Sequence, residues 1–176
     1  MCVVDGITLI TGGARSGKSA YALKLAAKRP GVRRVYVATG EASDEEMAAR
    51  IARHKAGRPA EFATIEEPVK LNRALQELSG RADVVVIDSL TLWVANLMGI
   101  YPAEESFRQE CLTLAQVLAR ASFDSIVVSD EVGSGIVPDN QMARHFRDRL
   151  GLTNQCIAQA AGEVFLLVSG YPLKVK

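Results

Sequence analysis

The residues Gly12-Gly13-Ala14-Arg15-Ser16-Gly17-Lys18-Ser19 satisfy the pattern G-x-x-x-x-G-K-[ST] in full. Glycines at this spacing let successive backbone N–H groups turn inward around phosphate oxygens, and a helix opening at Lys18 adds its positive N-terminal dipole. In that setting Lys18 reaches the β- and γ-phosphates of a nucleoside triphosphate, and Ser19 offers its hydroxyl to Mg²⁺. A phosphate loop also needs an acid at the end of a neighbouring strand, to hold the metal directly or through water. Val84-Val85-Val86-Ile87-Asp88 supplies one. The alternative is that Asp88 caps a helix beginning near Leu90, a common task for aspartate. Glu131, after Ile126-Val127-Val128-Ser129-Asp130, is a second acid of the same kind.

The chain has two histidines, His54 and His145. At helical spacing Met47, Ile51 and His54 share a face, with Arg50 one turn before the histidine. Arg50, Arg53, Lys55 and Arg58 concentrate positive charge around His54, a cluster that can grip a polyphosphate. The same charge depresses the imidazole pKa and keeps the ring neutral, hence nucleophilic. From these residues alone His54 either contacts phosphate or attacks phosphorus, against the plainer alternative of a histidine at a helix end. Around His145, Met142, Phe146 and Leu150 form an apolar stripe, and Arg144, Arg147 and Arg149 read as a solvated face with Asp148 as local partner. Trp93, the single tryptophan, reads as core or interface packing.

These groups need a frame, and the pattern of runs supplies it. Ile7 to Thr11 is a short β-branched strand, and Lys18 to Lys28 is a helix stopped by Pro30-Gly31. A strand follows at Val35 to Ala38, then a helix opened by Ser43 with Glu46 completing a capping box. Phe62 to Ile65 is extended, Pro68 to Leu78 helical, and Asp83 to Asp88 a buried strand. A long helix over Pro102 to Ala121 leads to a strand at Ile126 to Val128 and a helix from about Asp139. Glu163 to Ser169 gives a last core strand, with which the chain end can pair as an edge hairpin. Strand and helix alternate throughout, which predicts an α/β fold: a P-loop NTPase-like, mostly parallel sheet with helices on both faces and an antiparallel edge at the C-terminus. Ligands then bind at the carboxyl ends of the strands. Residues 1–176 read as a single domain.

Composition narrows the function classes. In 176 residues, 48% are hydrophobic and 23% charged, and 21 Lys+Arg against 20 Asp+Glu leave a net charge of +1. That balance argues against a nucleic-acid arm and against a polybasic membrane anchor. Cys2, Cys111 and Cys156 are odd in number and far apart, which predicts free thiols in a reducing cytosol. No basic stretch precedes the first apolar residues, and Val84 to Ile100 is broken by Asp88, Ser89, Thr91 and Asn96. The expectation is a cytoplasmic protein without signal peptide or membrane span.

Taken together, the residues resemble one family. The phosphate loop, Asp44-Glu-Glu-Met-Ala-Ala-Arg-Ile51 with His54-Lys55 and Gly57-Arg58-Pro59, Glu131-Val-Gly-Ser-Gly-Ile-Val-Pro138 and Ala143-Arg-His-Phe-Arg-Asp148 are similar to the bifunctional adenosylcobinamide kinase / adenosylcobinamide-phosphate guanylyltransferases of cobalamin biosynthesis. The resemblance covers essentially the whole chain. It implies phosphorylation of the aminopropanol hydroxyl of adenosylcobinamide by ATP or GTP, then transfer of GMP from GTP through a guanylylated histidine, which maps onto His54. It carries nucleotide contacts to Gly12, Gly13, Ala14, Arg15, Ser16, Gly17, Lys18 and Ser19, to Ala38, Thr39 and Gly40, to Lys55, Ala56, Gly57 and Arg58, and to Glu66 and Asp88. It also implies a homotrimer and a corrinoid substrate, while the phosphate-loop reading itself places Mg²⁺ at Ser19 and Asp88. Arg53 stands where some relatives have a second histidine, and Asp130 where a relative can carry Asn. A monofunctional small-molecule kinase and a nucleotide-dependent switch are the rival readings. Neither accounts for His54-Lys55-x-Gly57-Arg58-Pro59 as specifically.

Overall fold

The computed structural model describes residues 6–42 and 44–176, the side chains of Arg50 and His54 excepted. Cys2 and the Ser43 cap expected from sequence therefore lie outside the described residues. The elements run β1 (Ile7–Gly12), α1 (Lys18–Lys28), β2 (Arg34–Ala38), α2 (Glu45–Ala56), β3 (Phe62–Glu66), α3 (Leu71–Leu78) and β4 (Val84–Asp88). They continue α4 (Leu90–Leu97), α5 (Glu104–Arg120), β5 (Asp124–Val128), α6 (Gln141–Ala160), β6 (Glu163–Val168) and β7 (Tyr171–Lys174). The strands form one sheet in the order β3-β2-β4-β5-β1-β6-β7. All neighbours pair in parallel except β7, which runs antiparallel to β6 along the edge. This is the architecture the alternating pattern predicts.

Side-chain alternation divides the core in two. Leu9, Val37, Val85, Ile87 and Val127 face α3 to α6, whose Leu71, Leu75, Trp93, Leu97, Phe107, Leu114 and Ile157 cover them. Ile10, Tyr36, Val84, Val86, Ile126 and Val128 face the other way, against Ala22 and Ala26 of α1. Both faces of the central strands are covered, which is why β4 reads as an unbroken apolar run. Trp93 is fully buried and donates its indole N–H to the Val69 carbonyl. Asp88 continues the Val84-Val86 parity onto the α1 face, the face on which the phosphate loop opens.

Several boundaries differ from the sequence reading for local reasons. α3 begins at Leu71, not Pro68, because the Glu67 carboxylate accepts from the N–H groups of Val69 and Lys70 and holds them in a turn. α2 is capped by Asp44, whose carboxylate accepts from Met47 N at 2.7 Å. α6 starts at Gln141, after Asn140 caps the N–H groups of Met142 and Ala143. Ser89, not Asp88, caps α4. Cys111 and Cys156 are free; burial pushes the Cys111 thiol up to about 11. Among the described residues no helix is long and apolar enough to cross a membrane.

Candidate active site

The loop between β1 and α1 has the geometry that its glycines require. At Gly12 (φ 153°) a Cβ would stand 2.5 Å from the Leu167 carbonyl oxygen. Gly17 is left-handed (φ 93°) and forms the N-cap of α1. The loop is tied to both neighbouring strands: Glu131 N donates to the Gly12 carbonyl at 3.0 Å and Gly170 N to the Ser16 carbonyl at 3.0 Å. Gly13, Ala14 and Arg15 stay exposed. Lys18 is only 8% exposed, and its ammonium donates to the Gly13 carbonyl at 2.7 Å and to Ser16 Oγ at 3.4 Å.

The third partner of that ammonium is the Asp130 carboxylate, at 2.6 Å. Of the two adjacent acids after β5, it is therefore Asp130 and not Glu131 that faces the loop lysine. Glu131 turns its carboxylate to the N–H of Gly133 within its own loop. Asp130 is fixed from two helices, its N–H donating to Thr91 Oγ1 at 2.8 Å and its carbonyl accepting from Asn154 Nδ2 at 3.1 Å. Asn154 Oδ1 in turn accepts from Ser129 at 2.6 Å. The sequence did carry a signal for Asp130: it continues the parity of Ile126 and Val128, residues of the α1 face.

Asp88 ends β4 half-buried, and the Tyr36 hydroxyl donates to its Oδ2 at 2.5 Å. Burial, with the Asp88 charge beside it, raises the Tyr36 pKa far above its usual value, so the phenol remains a donor. The Arg58 guanidinium lies over the Tyr36 ring, 4.2 Å from its centroid, and donates to Thr64 Oγ1 at 3.4 Å. Arg58 Nε is buried without a hydrogen-bond partner among the described residues. Ala38 and Thr39 are buried, and Thr39 is taken up within the protein: its hydroxyl donates to the Ser89 carbonyl and accepts from Ser89 N. Its own carbonyl accepts from Asn96. A Cβ on Gly40 would meet Leu92 Cδ1 at 3.1 Å and Ile51 Cδ1 at 3.6 Å, so glycine lets α2 and α4 close over the end of β2.

His54 stands in the last turn of α2; its side chain lies outside the described residues. None of the described residues of this helix is buried. Lys55 forms an ion pair with Glu66, so two of the expected nucleotide contacts meet each other. Ala56 closes α2 and Gly57 is its C-cap. The arginines of α6 depart from the solvated face expected of them. Arg144 donates to the carbonyls of Pro138 and Asp139, and Arg149 to those of Tyr101 and Pro102 while lying over the Phe107 ring. Arg147 has a buried NH1 with no partner among the described residues. Arg144 thus fastens the loop that leads into α6, and Arg149 a loop distant in sequence. His145 is exposed.

Ser19, half-buried in the first turn of α1, and Asp88 supply hydroxyl and carboxylate oxygens. Among the described residues no cluster of three or more His, Cys, Asp or Glu forms a cage for a metal. That donor set suits Mg²⁺, which keeps waters and takes one or two protein oxygens together with phosphates.

Comparison with known proteins agrees with this geometry. The family model for cobinamide kinase / cobinamide phosphate guanyltransferase matches residues 8–175. The bifunctional adenosylcobalamin biosynthesis protein CobU of Salmonella typhimurium is 40% identical over 180 residues, spanning 96% of this chain and 98% of that protein. CobP of Pseudomonas aeruginosa, described in the same words, is 39% identical over 168 residues, covering 96% of each. Among solved structures, the type III secretion ATPase EscN of enteropathogenic E. coli superposes with a TM-score of 0.65 at 12% identity, over 96% of this chain and 44% of that one. That likeness concerns the fold.

Proposed function

The chain belongs to the cobinamide kinase / cobinamide phosphate guanyltransferase family, and from that membership we propose how one site serves two transfers. It is a bifunctional enzyme of adenosylcobalamin biosynthesis, a kinase and a guanylyltransferase. In the first reaction the adenosylcobinamide hydroxyl attacks the γ-phosphorus of ATP or GTP: a P–O bond forms, the β–γ bridging P–O bond breaks in line with it, the nucleoside diphosphate departs, and the hydroxyl proton passes to the transferred phosphoryl group. Lys18 exchanges Asp130 for the β- and γ-phosphates, and the loop N–H groups hold the phosphate oxygens as charge moves to the leaving group. Mg²⁺ bound by Ser19 and Asp88 would neutralise phosphate charge there.

In the second reaction a neutral His54 imidazole attacks the α-phosphorus of GTP. A P–N bond forms, the α–β bridging P–O bond breaks, and pyrophosphate leaves. The phosphate of adenosylcobinamide phosphate then attacks the phosphoramidate, breaking the P–N bond and yielding adenosylcobinamide-GDP. The acceptor is already anionic, so this step needs no base. Splitting the transfer avoids bringing two polyanions together. Lys55, Arg58 and Glu66 serve the nucleotide near His54, with Ala38, Thr39 and Gly40 shaping the adjoining strand end. The same reading makes the enzyme a cytoplasmic homotrimer, to be checked by light scattering.

The observation that carries this reading is Lys18 held over a complete phosphate loop, with Asp88 on the same face of the sheet. Its test is to incubate the protein with Mg²⁺ and GTP radiolabelled at the α-phosphate, denature it and map the label. Acid-labile, alkali-stable label on His54, absent from His54→Ala, is the expected result. No label while GTP still binds would overturn the covalent step and leave a plain kinase.

A further inference from the structure

Tyr36 lies in the middle of β2, 2% exposed, and by position it is a core aromatic. A phenylalanine would fill the same volume. What distinguishes Tyr36 is that its two ends are engaged by two residues of the candidate site. The hydroxyl donates to Asp88 Oδ2 at 2.5 Å, and the ring face carries the Arg58 guanidinium at 4.2 Å. Strand register explains how one side chain meets both. Tyr36 pairs with Val86 on β4, two residues before Asp88, and with Thr64 on β3, to which Arg58 donates.

Among the described residues each engaged group has little other restraint. Among the described residues no other side chain hydrogen-bonds the Asp88 carboxylate, so Tyr36 commits one of its oxygens and leaves the other open. Among the described residues the Arg58 side chain has one long hydrogen bond outside Tyr36, to Thr64, and a buried Nε without a partner, while its charge also lies beside the Tyr36 hydroxyl. The aromatic face is thus the main thing that seats the guanidinium. Arg58 follows α2 by two residues, so the ring also anchors the segment that leaves the helix of His54.

We propose that Tyr36 is a positioning residue for both transfers: its hydroxyl fixes the Asp88 carboxylate while its ring seats Arg58, so that one buried side chain aligns the metal-side acid with the basic segment after His54. This rests on the reading of Asp88 and Arg58 given above. Tyr36 itself touches no reacting atom.

The two ends can be separated by substitution. Tyr36→Phe keeps the ring and removes the hydroxyl. It should weaken Mn²⁺ binding, followed by electron paramagnetic resonance with a non-hydrolysable GTP analogue, by about tenfold, the effect of losing a hydrogen bond to a charged group. Kinase kcat and histidine labelling at saturating Mg²⁺ should stay within about twofold, since a ground-state alignment recovered by excess metal leaves kcat unmoved. Tyr36→Leu also removes the platform, and labelling should then fall about tenfold even at saturating Mg²⁺, the scale of a desolvated cation–π contact. If Tyr36→Leu does not fold, Arg58→Ala in the native background should give the same fall.

Asp88→Asn serves as the control. If it shifts Mn²⁺ binding and Tyr36→Phe does not, the hydroxyl is merely structural and the proposal is overturned. If Asp88→Asn leaves Mn²⁺ binding unchanged, it is the metal-side reading of Asp88 that fails, and the hydroxyl half of this proposal with it. Unchanged labelling in a folded Tyr36→Leu protein would overturn the platform half independently.

Discussion

The two regions that the chemistry must join are built in opposite ways. At the phosphate loop the polar groups are committed: Lys18 has three partners, and Asp130 is held through its backbone by α4 and α6. The loop itself is tied to β5 and β6. The α2 segment is the reverse. None of its described residues is buried, and it is held by a cap at Asp44, by Ile51 against the Gly40 corner, by the Lys55–Glu66 ion pair and by Arg58 on Tyr36. Phosphate binding needs donors fixed before the ligand arrives, because reorganising them would cost part of the electrostatic gain. On the proposed mechanism, a group that visits the α-phosphorus in one reaction and must leave the acceptor hydroxyl room in the other is better carried on an outer helix.

The largest effects follow from breaking the committed side. Lys18→Ala removes the charge on which, in the proposed mechanism, both transfers depend, and kinase and guanylyltransferase rates should each fall by roughly 10²–10³-fold, the scale of losing one preorganised donor to developing charge. Steady-state assays of the two reactions on the same preparation test this. A variant that loses one reaction alone would show that the loop does not serve both.

His54→Ala cuts the comparison on its other side. Covalent GMP labelling and adenosylcobinamide-GDP formation should be lost while nucleotide binding and phosphorylation of adenosylcobinamide persist, since the proposed kinase step uses no covalent intermediate. Calorimetric titration with GTP, run beside the kinase assay, separates loss of chemistry from loss of binding.

A smaller effect is expected at Asp130. Its carboxylate pairs with Lys18 before nucleotide arrives, with side-chain exposures of 26% and 9%, so phosphate must compete for the ammonium. Asp130→Asn removes the competitor. Nucleotide affinity should rise a few-fold and the ligand-free protein should lose about 1 kcal/mol of stability, the range for a partly exposed pair. Calorimetry and thermal melting read the two signs separately. Weaker binding would mean that the carboxylate acts on the bound state.

What the sequence made legible follows the same division. The β1–loop–α1 unit is local, so spacing alone yields it, and the buried parallel strands declare themselves as apolar runs. For Asp130 the signal was only half legible: alternation along β5 groups it with Ile126 and Val128, but that this is the α1 face is a tertiary fact. The α6 arginines misled because the carbonyls they hold, at Tyr101, Pro102, Pro138 and Asp139, belong to loop ends whose positions no helical periodicity reveals. Tyr36 was invisible as a site residue for a simpler reason: a tyrosine in a buried strand already has a sufficient explanation in packing.

The mildest perturbation is the sharpest on the contrast itself. Asp44 caps α2 through Met47 N at 2.7 Å, and replacing it with alanine should cost about 1 kcal/mol. Because α2 contributes no described buried residue, that loss should appear as local fraying and not as a lower melting temperature of the whole fold. Amide exchange in α2 should then quicken about fivefold, since 1 kcal/mol is a factor of that order, while exchange in β1, β4 and α1 stays unchanged. Guanylylation should slow by a similar factor, and the kinase rate should hold. If melting and exchange shift together across the sheet, α2 is part of the cooperative core, and the histidine rides on a scaffold as rigid as the phosphate loop.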